Sequence, residues 1–321
     1  MKRRYRVLGF AATLVVTALF VLYAARALRG QDLSVYGTPR ALLGIVLASL
    51  CWCASAPLMA WAWREMLNGL GLQRTMRELT AILGITQFAK YVPGNVAQYL
   101  GRGGMCLVRG IPARAIAATV LLETLLLVAA AGMVGVGTGI WSGVGLQTVR
   151  HHGSQLVLVA ILVGLTAFAL LLFRQFAPRL LEHLAPRHAH VLEGDLFPPQ
   201  RKLVHAFILY CGLYVAVGVG LVALAHLLLP DYRHDNWLLI AAFSLAWVVG
   251  FITPGAPAGL GIREGLLLLM LAPIYATAPA GVLVIALRIA TTLGDVLLFG
   301  AGWLLLPRVA KPTHARISAD R

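Results

Sequence analysis

Charged side chains are scarce in this chain, and that scarcity excludes most soluble architectures. Of the 321 residues, 12% are charged and 60% are hydrophobic, and the mean hydropathy is +0.82. A soluble domain carries roughly 25% charged residues. No polar stretch is long enough for a soluble catalytic domain, so residues 1–321 are predicted to form a single integral membrane domain.

Signatures of catalysis and metal binding are missing as well. The chain has neither a P-loop nor an HExxH or GxSxG motif, and its loop histidines lack metal-ligand spacing. We therefore expect no enzymatic activity, no metal and no cofactor. The few cysteines lie in apolar segments and are interpreted as small core residues rather than as a disulfide or metal set: Cys51, Cys53, Cys106 and Cys211.

In a soluble protein the net charge of +15 would indicate a nucleic-acid partner. Here the basic residues are distributed as membrane topology predicts. Apolar runs long enough to span a bilayer, about 20 residues, occur at 7–25, 41–63, 115–141, 155–173, 206–229 and 281–306. The first is interpreted as an uncleaved span rather than a signal peptide, because it is long and Arg26 follows it. Two shorter runs, 79–92 and 237–253, are predicted to enter the membrane and turn back.

Basic residues are distributed unequally between the two sides of this predicted topology. With the N-terminus in the cytoplasm, 20 of the 27 basic residues are cytoplasmic, including Lys90 and Arg102 near the first re-entrant run. This is the positive-inside pattern. The sequence therefore predicts a multi-pass protein of a bacterial inner membrane, with both termini in the cytoplasm and no nucleic-acid partner.

Two segments of the chain repeat each other at one constant offset. Residues 90–112 read KYVPGNVAQYLGRGGMCLVRGIP, and residues 251–273 read FITPGAPAGLGIREGLLLLMLAP. Each breaks an apolar run with Pro-Gly and continues with an arginine. The matching pairs, all 161 residues apart, are Pro93 and Pro254, Gly94 and Gly255, Arg102 and Arg263, Gly104 and Gly265, and Pro112 and Pro273.

The repeat predicts the architecture. Residues 41–141 and 206–306 each form a span, a broken hairpin and a closing span, and the linking span 155–173 reverses the second copy. We expect an all-α polytopic membrane protein of about 6–8 transmembrane helices, built from two inverted repeats, each with a Pro-Gly-broken re-entrant hairpin. Such breaks are typical of transporters. A duplicated structural bundle without transport is the alternative.

Ionisable residues at membrane depth are the candidate site. Arg102 and Arg263 follow the two breaks, where a guanidinium could bind two phosphate oxygens; the alternative is that both reach the membrane surface. Glu123 needs a partner, for which Arg102 and Arg288 are candidates. Structural ion pairs and transport roles stay equally open for the acids. The predicted substrate-binding set is Lys90, Asn95, Gln98, Arg102, Glu123, Arg263, Glu264, Arg288 and Asp295.

The segments YVPGNVAQYLGR and TPGAPAGLGIREG, together with Glu123 and Arg288, resemble the flippase-like transmembrane domain of the lysylphosphatidylglycerol synthase family. The resemblance covers residues 41–306. It implies a domain that moves an amphipathic lipid across the inner membrane, with Arg102, Glu123, Arg263, Glu264 and Arg288 at the polar positions. The soluble aminoacyl-transfer domain of the synthase is absent, so that activity is not expected.

Two functions of different classes follow. The first is a flippase for a lipid with a phosphate-containing or polar head group, whose partner is the membrane lipid itself. The second is a non-transporting scaffold or accessory subunit of a glycosyltransferase or other lipid- or glycan-modifying membrane enzyme. An enzyme acting on a polyprenyl-linked sugar is disfavoured, because no catalytic carboxylate pair or metal motif lies outside the membrane.

Overall fold

All regular structure in the described part of the chain is helical. The structure is a computed structural model that describes residues 33–91, 97–142, 197–252, 259 and 261–306. In chain order its helices are α1 (Pro39–Gly69), α2 (Met76–Gln87), α3 (Ala97–Val108), α4 (Ala113–Trp141), α5 (Gln200–Leu228), α6 (Asn236–Ile252), α7 (Ile262–Tyr275) and α8 (Thr277–Leu305). Short 3-10 helices cover Leu33–Gly37 and Phe88–Tyr91.

Helices α1, α4, α5 and α8 are long and apolar enough to cross a membrane. Each has 29 or 31 residues, which corresponds to about 43–47 Å at 1.5 Å per residue and exceeds the roughly 30 Å of a hydrocarbon core. The chain is therefore a multi-pass membrane protein, and the predicted all-α polytopic class is confirmed. The predicted spans 7–25 and 155–173 lie outside the described residues.

Local sequence signals set the helix boundaries. Thr38 caps α1 by accepting a hydrogen bond from the Ala41 amide at 3.2 Å, and Pro39 occupies the first turn. Thr75 caps α2 in the same way through the Glu78 amide. Helix α1 consists of two segments, Pro39–Cys53 and Ser55–Gly69, that meet at Ala54. Pro57 explains this interruption, since it has no amide hydrogen to donate to the carbonyl four residues earlier.

Helices α2 and α3 form a hairpin that returns to the end from which it entered. Arg109, after α3, lies 3.7 Å from Glu78 at the start of α2, measured from Nε to Oε1. The N-terminus of α5 is at the same end of the molecule, because Lys202 pairs with Glu65 at the end of α1. The predicted hinge residues Pro93 and Gly94 lie outside the described residues, between the two arms.

Helices α6 and α7 form a second hairpin. Its mouth, the open end where the chain enters the first arm and leaves the second, is at the C-terminal end of α5. His234, before α6, hydrogen-bonds the Tyr275 hydroxyl at the end of α7 at 2.9 Å. His226, in the last turn of α5, contacts Asn236 at 2.9 Å. Burial, with the nearby His226 adding to it, lowers the pKa of His234 in this loop. The hinge residues Pro254 and Gly255 again lie outside the described residues.

The entering arm of each hairpin packs against the closing span of the other half: α2 against α8, and α6 against α4. Glycines permit these close approaches. A Cβ atom on Gly84 of α2 would lie 2.5 Å from the Leu298 carbonyl oxygen of α8, and one on Gly302 would lie 2.9 Å from the Ala81 carbonyl oxygen. Small residues at such contacts are typical of membrane helix packing. The span–hairpin–span order occurs twice, whereas the inverted duplication of 41–141 and 206–306 stays a prediction.

Candidate functional site

A cavity of about 100 Å³ lies where the two hairpins meet the spanning helices. Both hairpins contribute to its wall, together with α1, α4, α5 and α8. Glu264 lies behind the wall, in contact with two arginines. Asn95 is outside the described residues. The other predicted substrate-binding residues line the cavity: Lys90, Gln98, Arg102, Glu123, Arg263, Arg288 and Asp295.

Arg102 and Glu123 form a buried ion pair at one part of this wall. The Arg102 Nη1 atom lies 2.6 Å from the Glu123 Oε2 atom, and their side chains are only 3% and 1% exposed. The guanidinium also lies over the Trp63 ring, with its Cζ atom 5.1 Å from the ring centre. Trp63 is held by its Nε1–H, which donates to Thr119 at 3.0 Å. Of the two candidate partners of Glu123, Arg102 forms the ion pair, whereas Arg288 pairs with Glu264.

Asp295 accepts three hydrogen bonds, all from the first half of the chain. The donors are Trp52 Nε1 at 2.8 Å, Lys90 Nζ at 2.7 Å and the Tyr91 hydroxyl at 2.6 Å. Lys90 and Tyr91 belong to the 3-10 segment that ends the entering arm of the first hairpin. A Cβ on Gly294 would lie 2.5 Å from the Trp52 ring, so the glycine lets the indole reach the carboxylate. Asp295 thus ties the tip of the first hairpin to α8.

Arg263 and Glu264 begin the returning arm of the second hairpin, where Glu264 is a shared acceptor. Its Oε2 atom accepts the Gly261 amide at 2.8 Å, and Gly261 has the positive φ of 82° that starts α7. Its Oε1 atom lies 3.2 Å from Arg288 Nη1 and 3.9 Å from Arg263 Nη2. Arg288 also faces Tyr91 of the first hairpin, at 5.6 Å from Cζ to the ring centre. Arg288 therefore connects the two hairpin tips.

The site as a whole carries an excess of positive charge. Four basic side chains, Lys90, Arg102, Arg263 and Arg288, oppose three acidic ones, Glu123, Glu264 and Asp295, which leaves a formal net charge of +1. Arg263 is the most loosely held of the four, because among the described residues its single acidic contact is the long one to Glu264. In a low-dielectric interior this excess favours an anion.

The sequence of this chain matches the family described as Lysylphosphatidylglycerol synthase TM region over residues 6–298. The chain belongs to this family. The suspected resemblance is therefore confirmed, and it extends over nearly the whole chain. No curated protein sequence matches the chain.

Two of the basic residues near the first break, Lys90 and Arg102, lie at the cavity, where the sequence predicted substrate-binding residues. They form ion pairs with Asp295 and Glu123. Both positions are possible because an ammonium or guanidinium in the interior is stabilised by a neighbouring carboxylate that neutralises its charge.

Sequence reasoning missed the aromatic residues that support the charges. Trp52 and Trp63 each lie in the long apolar helix α1, and each contacts a cavity cation or its carboxylate. Tryptophan in an apolar run gives no signal that separates a lipid-facing ring from a buried one. Within the described residues no group of three or more His, Cys, Asp or Glu side chains could hold a metal ion.

Proposed function

We propose that this protein moves an amphipathic membrane lipid with a phosphate-containing or polar head group from one leaflet to the other. The observation that carries the proposal is the cavity with a net positive charge, lined by buried charged side chains, at the meeting point of the two hairpins. The head group would cross through the cavity while the acyl or prenyl tail stays in lipid. The membrane we infer is a bacterial inner membrane.

The charge of the cavity supports an anionic head group. Arg263 is buried, lines the cavity and has one distant acidic contact among the described residues. A guanidinium in this setting gains from a phosphate oxygen pair, because its planar fork binds two oxygens at once. Gln98 adds an amide to the same wall. Arg102, by contrast, is already paired with Glu123. We therefore propose that it contacts the head group after Arg263 does.

The positions of the hairpin mouths support alternating access. The first mouth is at the N-terminal end of α5 and the second is near its C-terminal end. Because α5 has 29 residues, these ends are about 43 Å apart. Two hairpins that enter from opposite sides and meet at a central cavity are what an inverted repeat produces. We propose that each hairpin opens the cavity to its own side.

The orientation in the membrane follows from the charges at the two mouths. Five basic side chains with described contacts flank the first mouth, whereas Arg40 and Arg233 lie at the end of the second, where Asp231 and Asp235 are near Arg233 in sequence. By the positive-inside rule we propose that the first mouth faces the cytoplasm. The five are Arg64, Arg74, Arg77, Arg109 and Lys202.

Translocation of a labelled anionic phospholipid in reconstituted vesicles tests the proposal. Arg263→Ala should slow translocation about tenfold or more, which is the worth of a charge-assisted hydrogen bond. The translocation rate of Arg263→Lys should lie between those of Arg263→Ala and the unchanged protein, because lysine keeps the charge but loses the two-point contact. Arg102→Ala should also slow transport, with a loss of stability because Glu123 is left unpaired.

The control is Arg233→Ala, which removes an exposed arginine far from the cavity and should leave the rate unchanged. Unchanged rates in the Arg102→Ala, Arg263→Ala double variant would refute the role of the arginines. If the unchanged protein does not accelerate translocation of any phospholipid, the scaffold function is favoured instead.

A further inference from the structure

Histidine side chains connect the second hairpin to α5 at its mouth. The His226 ring, in the last turn of α5, lies 4.2 Å from the His234 ring of the loop before α6, measured between ring centres. His226 Nε2 also lies 2.9 Å from Asn236 Oδ1, at the start of α6. His234 Nδ1 lies 2.9 Å from the Tyr275 hydroxyl, at the end of α7. These four residues, the second-mouth clasp, join α5 to both arms of the hairpin.

The hydrogen bonds of the clasp do not depend on a charge. The Asn236 oxygen only accepts, so neutral His226 donates through its Nε2–H. The Tyr275 hydroxyl either donates to His234 Nδ1 or accepts from it, so this bond forms with a neutral or a protonated ring. A second proton on a ring therefore changes its charge and not its bonding. Histidine is the side chain whose usual pKa lies between pH 5 and 8.

Two imidazolium rings at this separation repel each other. Burial of His234, together with the nearby His226, lowers the pKa of His234 below its usual value of about 6.5, although the Leu229 backbone raises it in part. A ring that leaves the clasp recovers the usual pKa, so the open form binds protons more readily than the closed one. The closed form is therefore favoured above about pH 6.5 and loses that advantage as the pH falls further.

The other charged groups around the clasp add up to no net charge. Asp231, Arg233 and Asp235 belong to the same loop, and Arg40 begins α1, which packs against α5. Asp235 is already engaged, because its Oδ1 atom accepts the Leu238 amide at 3.1 Å. Helix α6, the last ten residues of α7 and the first eleven of α8 carry no charged side chain. Nearby tyrosines stay neutral below about pH 10: Tyr36, Tyr232 and Tyr275. The surroundings thus offer no excess negative charge to two imidazolium rings.

The first mouth has no corresponding pair among the described residues. Its arms meet through Glu78 and Arg109, whose charges persist between about pH 5 and 10. The histidine at that end of α5 is His205, whose Nδ1 atom lies 4.0 Å from a Glu65 oxygen. A proton on His205 meets an opposite charge and strengthens this contact. Within the described part of the chain, a repulsion that depends on pH is therefore confined to the second mouth.

We propose that the second-mouth clasp is a pH-sensitive switch, which holds the second hairpin against α5 while both histidines are neutral and releases it when both are protonated. Its effect on transport rests on the proposed function, since a released second hairpin opens the cavity to the side that its mouth faces. Acidification of that side then favours the state that is open to it.

The distance between α5 and α6 tests the switch directly. Spin labels are attached to Val219→Cys in α5 and Trp237→Cys in α6, two exposed positions, in the full-length protein without its native cysteines. Double electron–electron resonance in lipid nanodiscs should give one short distance at pH 7.5 and a second, longer one at pH 5.0. The ratio of long to short should rise by up to about tenfold per pH unit for each proton bound. A distribution that is the same at both pH values would overturn the proposal.

Substitutions of the two histidines separate charge from bonding. His226→Gln and His234→Asn remove the charge but place an amide near the nitrogen that each hydrogen bond uses, so each should keep the short distance at both pH values. His226→Lys carries a permanent charge and should show the long distance at a higher pH, because only His234 then has to be protonated. His205→Gln is the matched control and should keep the full response. A full response in His234→Asn, or a lost one in His205→Gln, would contradict the switch.

Translocation of a labelled anionic phospholipid distinguishes a failure of the switch from a failure of the proposed function. In vesicles, acidifying the side that the second mouth faces should raise the rate of the unchanged protein but not that of His234→Asn. If the distances respond to pH but no phospholipid is translocated at either pH, the switch stands and the proposed transport is refuted. If transport occurs and its rate does not depend on pH, transport stands and its regulation by the clasp is refuted.

Discussion

Arg102 and Glu123 are both almost fully buried, and each compensates the charge of the other across 2.6 Å. Removing one partner of such a pair costs much more than removing both, because the remaining charge is left in a low-dielectric surrounding. The pair therefore contributes to folding as well as to the cavity wall. Its stability role can be separated from its transport role by the choice of substitution.

Glu123→Ala should destabilise the protein by about 3–5 kcal/mol, the cost of a buried guanidinium without a partner. Glu123→Gln should be milder, because the amide oxygen still accepts a hydrogen bond from Arg102. The thermal midpoint in detergent, followed by fluorescence size-exclusion chromatography, measures both. Glu78→Ala is the control, since its contact with Arg109 is longer, at 3.7 Å, and more exposed. A Glu123→Ala protein as stable as the Glu78→Ala protein would show that the ion pair has no structural role.

The charged residues of the cavity could be predicted because a charge inside an apolar run is conspicuous, as Glu123 and Asp295 are. The tryptophans could not. Trp61 and Trp63 are two residues apart in α1, yet Trp61 is 49% exposed and Trp63 is fully buried against Arg102. The difference arises from helix rotation and from which neighbour each face meets, and a single apolar sequence does not contain that information.

At the scale of elements, the two hairpins depend on close contact between their entering arms and the spans of the opposite half. The ends of the two entering arms could be predicted from the Pro-Gly breaks. The run 79–92 corresponds to α2 (Met76–Gln87) with its 3-10 extension, and the run 237–253 corresponds to α6 (Asn236–Ile252). The pairing of α2 with α8 and of α6 with α4 could not be predicted. It depends on tertiary packing around glycines: Gly84 and Gly302 between α2 and α8, and Gly135 of α4 against α6.

Gly84→Ala should destabilise the contact between α2 and α8, because the new Cβ would lie 2.5 Å from the Leu298 carbonyl oxygen, which belongs to the backbone and has little freedom to move. We expect a loss of about 1–3 kcal/mol, typical of an overpacked site. Gly103→Ala is the matched control in α3, where a Cβ meets no atom within 4 Å. It should be neutral or stabilising, since alanine favours a helix. Equal thermal midpoints for the two variants would contradict this packing.

At the scale of the whole molecule, the inverted arrangement predicts that the two hairpin mouths face opposite sides of the membrane. Gln73 is exposed beside the first mouth and Arg233 beside the second. In a background without the native cysteines, Gln73→Cys should react with a membrane-impermeant thiol reagent from the cytoplasmic side. Arg233→Cys should react from the outer side. Labelling of both from the same side would refute the inverted arrangement.

The cavity itself provides the sharpest test, because transport requires that it open to both sides in turn. Ser55 lines the cavity in α1, and Ser55→Cys changes the side chain by a single atom. Ser49 lies less than two turns earlier, and its single hydroxyl hydrogen is shared between the Ile45 and Ala290 carbonyl oxygens, at 2.7 and 3.0 Å from Oγ. Ser49→Cys, which lies outside the cavity, is therefore the control and should stay unlabelled.

The decisive measurement is labelling of Ser55→Cys by an impermeant thiol reagent in right-side-out and in inside-out vesicles of the same preparation. Alternating access predicts labelling in both orientations, with the anionic phospholipid slowing the reaction in each. Labelling from one side only would contradict the account, because the cavity would then be a fixed pocket and the protein would not carry a head group across the membrane.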